Sequence, residues 1–119
     1  MNVMVVDDDD LVRAAIAEIL LDAGFEVTAF ADPDQALGPY DAVGPPDVLI
    51  TDINLGSSLN GFDVAAVAHS RWPSIAVILI SGLPVHFAGR MLDPRDRYLQ
   101  KPVSNCNLLK TIQQMSGGE

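Results

Sequence analysis

The sequence predicts an α/β domain: a doubly wound, five-stranded parallel sheet with helices on both faces. Three observations predict it. Strand-like and helix-like patterns alternate along the chain, which is the signature of strands joined by crossover helices. Segments such as Val3-Met4-Val5-Val6 and Val48-Leu49-Ile50-Thr51 are continuous apolar runs, as strands covered on both faces require. Finally, 119 residues that are 49% hydrophobic suffice for one core, so residues 1–119 read as a single domain. Right-handed crossovers then favour the doubly wound arrangement.

The elements follow in order. Val3 to Val6 is the first strand. A helix comes next: Asp9 or Asp10 can cap it, Val12, Ile16, Ile19 and Ala23 share a face, and Gly24 marks its end. Glu26 to Phe30 is the second strand. Asp32-Pro33 is an N-cap followed by proline at the first helical position, opening a short helix that Gly38-Pro39 interrupts and Gly44-Pro45-Pro46 closes. Val48 to Thr51 is the third strand, ending at Asp52. The loop Leu55 to Asn60 leads to a helix from Gly61 to Arg71, stopped by Pro73. Ile75 to Ile80 is the fourth strand. Pro84 to Leu92 is the least regular stretch, with one or two helical turns expected. Arg97 to Gln100 is a short fifth strand, and Ser104 caps a last helix that turns Leu108, Leu109, Ile112 and Met115 inward.

Composition excludes several functions. The net charge is −9. Residues 1–60 carry twelve acids and one base, Arg13, while residues 61–119 carry four acids and six bases. Nucleic-acid binding requires a basic face, so no direct binding is expected. No apolar run approaches the ~20 residues of a membrane span, and no basic segment precedes the first strand, so neither membrane insertion nor secretion is expected. One cysteine, Cys106, permits no internal disulfide and suits a reducing cytoplasm.

In open α/β sheets ligands bind beyond the carboxyl ends of the strands. Here those ends carry Asp7-Asp8, Asp52, Ser81 and Lys101-Pro102. Three carboxylates, a hydroxyl and an ammonium should converge on one rim. Crowded carboxylates repel, and a hard divalent cation such as Mg²⁺ relieves the repulsion. A carboxylate beside such an ion can attack phosphorus to give an acyl phosphate, with cation and lysine stabilising the charge on the transferring group.

Val5-Val6-Asp7-Asp8, Asp52 after Asp47-Val48-Leu49-Ile50-Thr51, Ile80-Ser81-Gly82 and Tyr98-Leu99-Gln100-Lys101-Pro102 resemble the receiver domains of two-component response regulators, in order and over nearly the whole chain. The resemblance implies the flavodoxin-like strand order 2-1-3-4-5. It implies a phosphoryl-accepting signalling domain rather than an enzyme, one that catalyses its own phosphoryl transfer and dephosphorylation. Asp52 is then the phosphoacceptor. Mg²⁺ is held by Asp8, Asp52 and the backbone carbonyl of Asn54, with Asp7 assisting through water. Lys101 contacts the phosphoryl group, Ser81 is the switch hydroxyl, Tyr98 is the switch aromatic, and the Lys101–Pro102 bond is cis. The implied partner is a sensor histidine kinase or a histidine phosphotransfer protein, and a phosphorylation-dependent dimer is a further expectation.

The chain also departs from the family pattern. The loop Ile53-Asn54-Leu55-Gly56-Ser57-Ser58-Leu59-Asn60-Gly61 lacks the usual proline and places Gly61 later than is common. The stretch from Ser81 to Lys101 is shortened, with Leu92-Asp93-Pro94-Arg95-Asp96-Arg97 replacing the familiar Ala-Gly-Ala. The acceptor site is untouched by these changes, whereas the segment before the fifth strand, a common partner-contact surface, is altered.

Simpler readings exist for several residues. Asp9 and Asp10 serve as a helix cap. Ser81-Gly82 can be a turn and Tyr98 a half-buried strand aromatic. His69 and His86 read as helix-surface or loop residues, Cys106 as a helix residue without redox work, and Trp72 as packing. Other functions are conceivable too. Asp7-Asp8-Asp9 after a strand fits the Asp-x-Asp nucleophile of haloacid-dehalogenase-like phosphatases, but those need a further acidic pair, and only Asp93 and Asp96 offer one. A non-phosphorylated pseudo-receiver is opposed by the intact acids and lysine. A flavodoxin-like cofactor binder is opposed by the lack of a Gly-rich loop after the first strand. Whether the chain stands alone or belongs to a hybrid kinase or larger regulator is not decided by Ser116-Gly117-Gly118-Glu119.

Overall fold

The computed structural model describes residues 1–36, 46–55, 60–82 and 96–116. Five strands, β1 (Asn2–Val6), β2 (Glu26–Phe30), β3 (Val48–Asp52), β4 (Ala76–Ser81) and β5 (Asp96–Gln100), form one sheet in the order β2-β1-β3-β4-β5. Every neighbouring pair is parallel. The helices among the described residues are α1 (Asp10–Asp22), α2 (Pro33–Ala36), α3 (Gly61–Arg71) and α4 (Asn105–Ser116). The expected irregular stretch 84–92, His86, the breaks at 38–39 and 44–45, and most of the loop 55–60 lie outside the described residues.

The alternation of side chains along each strand divides the interior into two layers. Val3, Val5, Val48, Ile50, Ile78 and Ile80 join Ile16 and Leu20 of α1 and Leu108 and Ile112 of α4 in one buried cluster. Met4, Val6, Leu49, Val77 and Leu79 join Ala36 of α2 and Val64, Ala65 and Ala68 of α3 in the other. The unbroken apolar strands of the sequence thus have a physical cause: both faces of β1, β3 and β4 are covered. On α1 the fully buried pair is Ile16 and Leu20, with Val12 and Ile19 at its border. Ala23, expected on that face, is instead the C-cap and is exposed.

The caps explain the boundaries. Asp9 Oδ1 accepts the Leu11 and Val12 N–H groups at 2.9 and 3.2 Å and so starts α1. Gly24 ends it at φ +92°, a backbone region that glycine enters without steric cost. Asn60 and Asp63 cap α3 reciprocally, each side chain accepting the other's backbone N–H at 3.0 Å. Ser104 Oγ accepts the Asn107 N–H at 3.1 Å at the head of α4.

Gly61 is needed for a different reason. A Cβ there would lie 2.5 Å from the Asp52 carbonyl oxygen and 2.7 Å from the Ile53 Cα. The start of α3 therefore rests directly on the backbone at the end of β3, and the Gly61 N–H donates to the Ile53 carbonyl at 2.8 Å. Because the obstruction is main chain, Gly61→Ala should destabilise the fold by about 1–3 kcal/mol. Gly82→Ala, where nothing stands within 4 Å, should cost much less. Urea unfolding of both variants checks this, and equal midpoints would contradict the close approach.

Candidate functional site at the carboxyl rim of the sheet

The register brings the rim together. Val6 of β1 pairs with Thr51 of β3, so the next residues, Asp7 and Asp52, emerge side by side. Asp52 pairs with Ile80 and Ser81 with Gln100, which places Ser81 and then Lys101 one step further out. The Lys101 N–H donates to the Ser81 carbonyl at 2.9 Å, and the Lys101–Pro102 peptide bond is cis. An open cleft is lined by Asp8, Asp9, Asp52, Asn54, Ser81, Gly82 and Lys101. One carboxylate oxygen each from Asp7, Asp8 and Asp52 lies within 4.8 Å of the other two.

Each acid is held differently. Asp52 is 8% exposed; its Oδ2 accepts the Lys101 ammonium at 3.0 Å and its Oδ1 the Asn54 N–H at 3.3 Å. Asp7 is 1% exposed, and its Oδ1 accepts the Asp9 N–H at 2.9 Å. Its Oδ2 stands 3.5 Å from Lys101 Nζ, close enough for ion pairing but too long for a hydrogen bond, so that buried oxygen has no hydrogen-bond partner. Asp8 is exposed. Among the described residues no hydrogen bond or ion pair holds its carboxylate.

The protonation equilibria follow this geometry. Burial raises the Asp7 pKa; the Asp9 N–H and the Lys101 charge oppose this, the Asp52 charge reinforces it, and the net shift is upward. Burial also works against the Lys101 charge. The hydrogen bond to Asp52 and the attraction of Asp7 and Asp52 outweigh it, so the Lys101 pKa is raised. One ammonium thus serves two buried carboxylates, with a third beside them.

Of the residues singled out in the sequence, Asp7, Asp8, Asp52, Asn54, Ser81 and Lys101 meet at this rim. Tyr98 does not line the cleft. It sits within β5, its ring edge-to-face with Phe62 at 6.3 Å and 84°, against the α3-side cluster. His69 differs from its reading as a surface residue. It is half-buried on α3, and its Nε2 lies 2.7 Å from Asp96 Oδ1. Asp96, one of the two downstream acids considered for a haloacid-dehalogenase-like site, opens β5 at the end of the sheet opposite the rim, while Asp93 lies outside the described residues. Arg13 was legible only as a lone base, yet its Nη1 donates to the Asp7 carbonyl at 2.9 Å and its Nη2 to Asp10 Oδ1 at 2.6 Å. No helix among the described residues is long and apolar enough to cross a membrane.

Comparison with known proteins agrees with this geometry. A sequence model of the response regulator receiver domain matches residues 3–113. A putative NtrX-like response regulator of Rickettsia bellii is 34% identical over 92% of this chain and 23% of its own length. Protein RcaC of Microchaete diplosiphon is 33% identical over 93% of this chain and 17% of its own. The chain therefore spans less than a quarter of these relatives. Among solved structures, the chemotaxis protein CheY4 of Vibrio cholerae superposes with TM-score 0.81 at 27% identity, covering 96% of this chain and 97% of that one. The receiver domain of the hybrid histidine kinase CckA gives 0.80 at 26%, covering 97% and 98%. The chain belongs to the receiver-domain family of two-component response regulators, a family of regulatory signalling domains.

A raised Asp7 pKa means that the folded state binds the proton more tightly than the unfolded chain does. Stability is then lost as pH rises through the folded pKa, and at neutral pH the Asp7 charge costs stability. Without divalent cations, Asp7→Asn should therefore raise the denaturant midpoint at pH 7, and the advantage should shrink as pH falls into the range where Asp7 protonates. Chemical unfolding at both pH values in a chelating buffer measures this; a lower midpoint at pH 7 would show that the Lys101 pairing outweighs burial.

Proposed function

We propose that residues 1–119 act as a single receiver unit in which Asp52 accepts a phosphoryl group from a phosphohistidine on a sensor kinase or phosphotransfer protein, assisted by Mg²⁺. The observation that carries this reading is the pairing of Asp52 with Lys101 at 3.0 Å inside a three-carboxylate cluster. A nucleophilic carboxylate, a fixed ammonium and hard oxygen donors are the parts that phosphoryl transfer uses.

The residues fit the ion. Mg²⁺ favours one or two carboxylates with retained waters; Asp8 and Asp52, with the Asn54 carbonyl, supply direct ligands in this reading. The orphaned buried Asp7 Oδ2 suits a hydrogen bond from a metal-bound water. When bound, the cation neutralises charge on the rim and on the phosphoryl oxygens. The protein's own groups do the rest. An Asp52 carboxylate oxygen attacks phosphorus as the phosphorus–nitrogen bond breaks. The leaving imidazole keeps the electron pair and takes up a proton. Lys101 passes its hydrogen bond from Asp52 to a phosphoryl oxygen, offsetting the developing charge. Return to the free carboxylate follows by attack of water on the same phosphorus.

The switch reading concerns Ser81 and Tyr98. Leu79 pairs with Tyr98, and Ser81, two residues along β4, turns to the same face. A phosphoryl group on Asp52 offers new acceptor oxygens; Ser81 donates to one of them, and the space it leaves admits the Tyr98 ring. That movement gives up the Phe62 edge contact, worth about 0.5–1.5 kcal/mol, so phosphorylation biases two nearly balanced states.

Two outcomes test these proposals. A small acyl-phosphate donor with Mg²⁺ should add one base-labile phosphoryl group to the wild type and none to Asp52→Asn; a label mapped to Asp7, Asp9 or a histidine would overturn the assignment. Binding of beryllofluoride, a phosphoryl mimic, should shift the Tyr98 ring resonances in NMR spectra, and Ser81→Ala should blunt the shift. Changes confined to Asp7–Asp9, Ile53–Leu55 and Lys101 would contradict the relay.

A further inference from the structure

We infer that Arg13 is a positioning residue for the cation site: its guanidinium fixes the peptide unit between Asp7 and Asp8 and so aims the Asp8 carboxylate at the cluster. The inference rests on the cation-assisted reading of the rim given above.

Asp8 has no support of its own. Its carboxylate makes no hydrogen bond or ion pair among the described residues, yet one of its oxygens lies within 4.8 Å of oxygens on Asp7 and Asp52. Its direction must therefore come from the main chain. The Asp7 carbonyl oxygen belongs to the planar unit that carries the Asp8 nitrogen and Cα, and holding that oxygen sets the plane from which the Asp8 side chain leaves. Here the chain has left the sheet. The Asp7 N–H still donates to the Phe30 carbonyl at 3.1 Å, but β1 ends at Val6, and the Asp7 carbonyl goes to Arg13 Nη1 at 2.9 Å.

Arg13 is equipped to hold it. Its second nitrogen, Nη2, is tied to Asp10 Oδ1 at 2.6 Å, so the rigid fork spans both ends of the turn Asp7–Asp10 at once. As an ordinary surface ion pair the contact to Asp10 contributes little, since that carboxylate is 84% exposed. The main-chain contact is different, because it is part-buried and lies one peptide from a proposed ligand. Arg13 is also the only Lys or Arg in residues 1–60. A positive charge so close to the cation site opposes cation binding by Coulomb repulsion, so charge alone gives no reason for a base here.

That conflict makes the test sharp, because the two roles predict opposite signs. If Arg13 acts by its charge alone, Arg13→Gln removes a repulsion and Mg²⁺ binds more tightly. If it positions Asp8, the same variant binds Mg²⁺ more weakly, by about tenfold, as for other groups that orient metal ligands. Arg13→Lys keeps the charge without the planar fork and should also bind more weakly than wild type, whereas Asp10→Asn, which leaves the carbonyl contact in place, should change affinity far less. The dissociation constant for Mg²⁺ is measured by titration calorimetry on the whole 119-residue chain, with thermal unfolding in chelator confirming that each variant is folded; if Arg13→Gln is not, Arg13→Lys decides. Wild-type or tighter binding in Arg13→Gln, or wild-type binding in Arg13→Lys, would overturn the inference while leaving the cation reading intact. Failure of the wild type itself to bind Mg²⁺ would remove the cation reading and this inference with it.

Discussion

Two carboxylates withdrawn from water share a single ammonium at the rim of the sheet. Asp7 and Asp52 are both buried, and Lys101 meets Asp52 at 3.0 Å and Asp7 at 3.5 Å. With Asp8 beside them, three negative charges face one positive charge. A buried charge without full compensation is costly, and the raised Asp7 pKa records that cost. The two apolar layers beneath the rim offset this cost, and in the proposed reading a bound cation would relieve it. In that reading, stability is given up locally where the chemistry would be done.

The parallel sheet makes the arrangement reproducible. Because all five strands run the same way, their carboxyl ends fall on one edge, and the paired register fixes which residues meet there. The loops at the rim are then tied down a second time. Asp9 caps α1 and donates its N–H to Asp7; Arg13 holds the Asp7 carbonyl; Gly61 lets α3 rest on the Asp52 backbone. On the far side of α3, Phe62 and His69, two turns apart, meet Tyr98 and Asp96, two residues apart on β5. The helix therefore joins the backbone at the end of β3 to the strand that leads to Lys101.

Much of this was legible in the sequence, for identifiable reasons. The continuous apolar runs named β1, β3 and β4 because both faces of a central parallel strand are covered. Asp9, Gly24, Pro33 and Ser104 marked helix ends because capping is local chemistry. The rim residues Asp7, Asp8, Asp52, Ser81 and Lys101 were legible because each ends a strand or follows one within two residues, so strand assignment alone places them. Contacts between elements distant in the chain were not legible. His69 bonds Asp96 across 27 residues, and no local pattern announces it. Gly61 stood out only as displaced from the family's usual spacing, whereas its role depends on how near α3 approaches β3. Arg13 carried a signal in its isolation among acids, but only the fold shows that it grips a carbonyl. Leu20 is buried on the inner face of α1 where Ala23 was expected, because the helix ends at Asp22 and Ala23 is its exposed C-cap.

The rim holds uncompensated negative charge, which in the proposed reading a divalent cation relieves. A ligand that binds only the folded state stabilises it in proportion to the logarithm of its concentration above the dissociation constant. The most direct measurement is the unfolding midpoint of the whole chain as Mg²⁺ is raised, compared with NaCl at matched ionic strength. The midpoint should climb steadily with Mg²⁺ and respond far less to NaCl, because screening acts weakly on buried charges. Equal rises in the two salts would mean that the carboxylates are relieved by general screening, and the account of the rim as a cation site would be wrong.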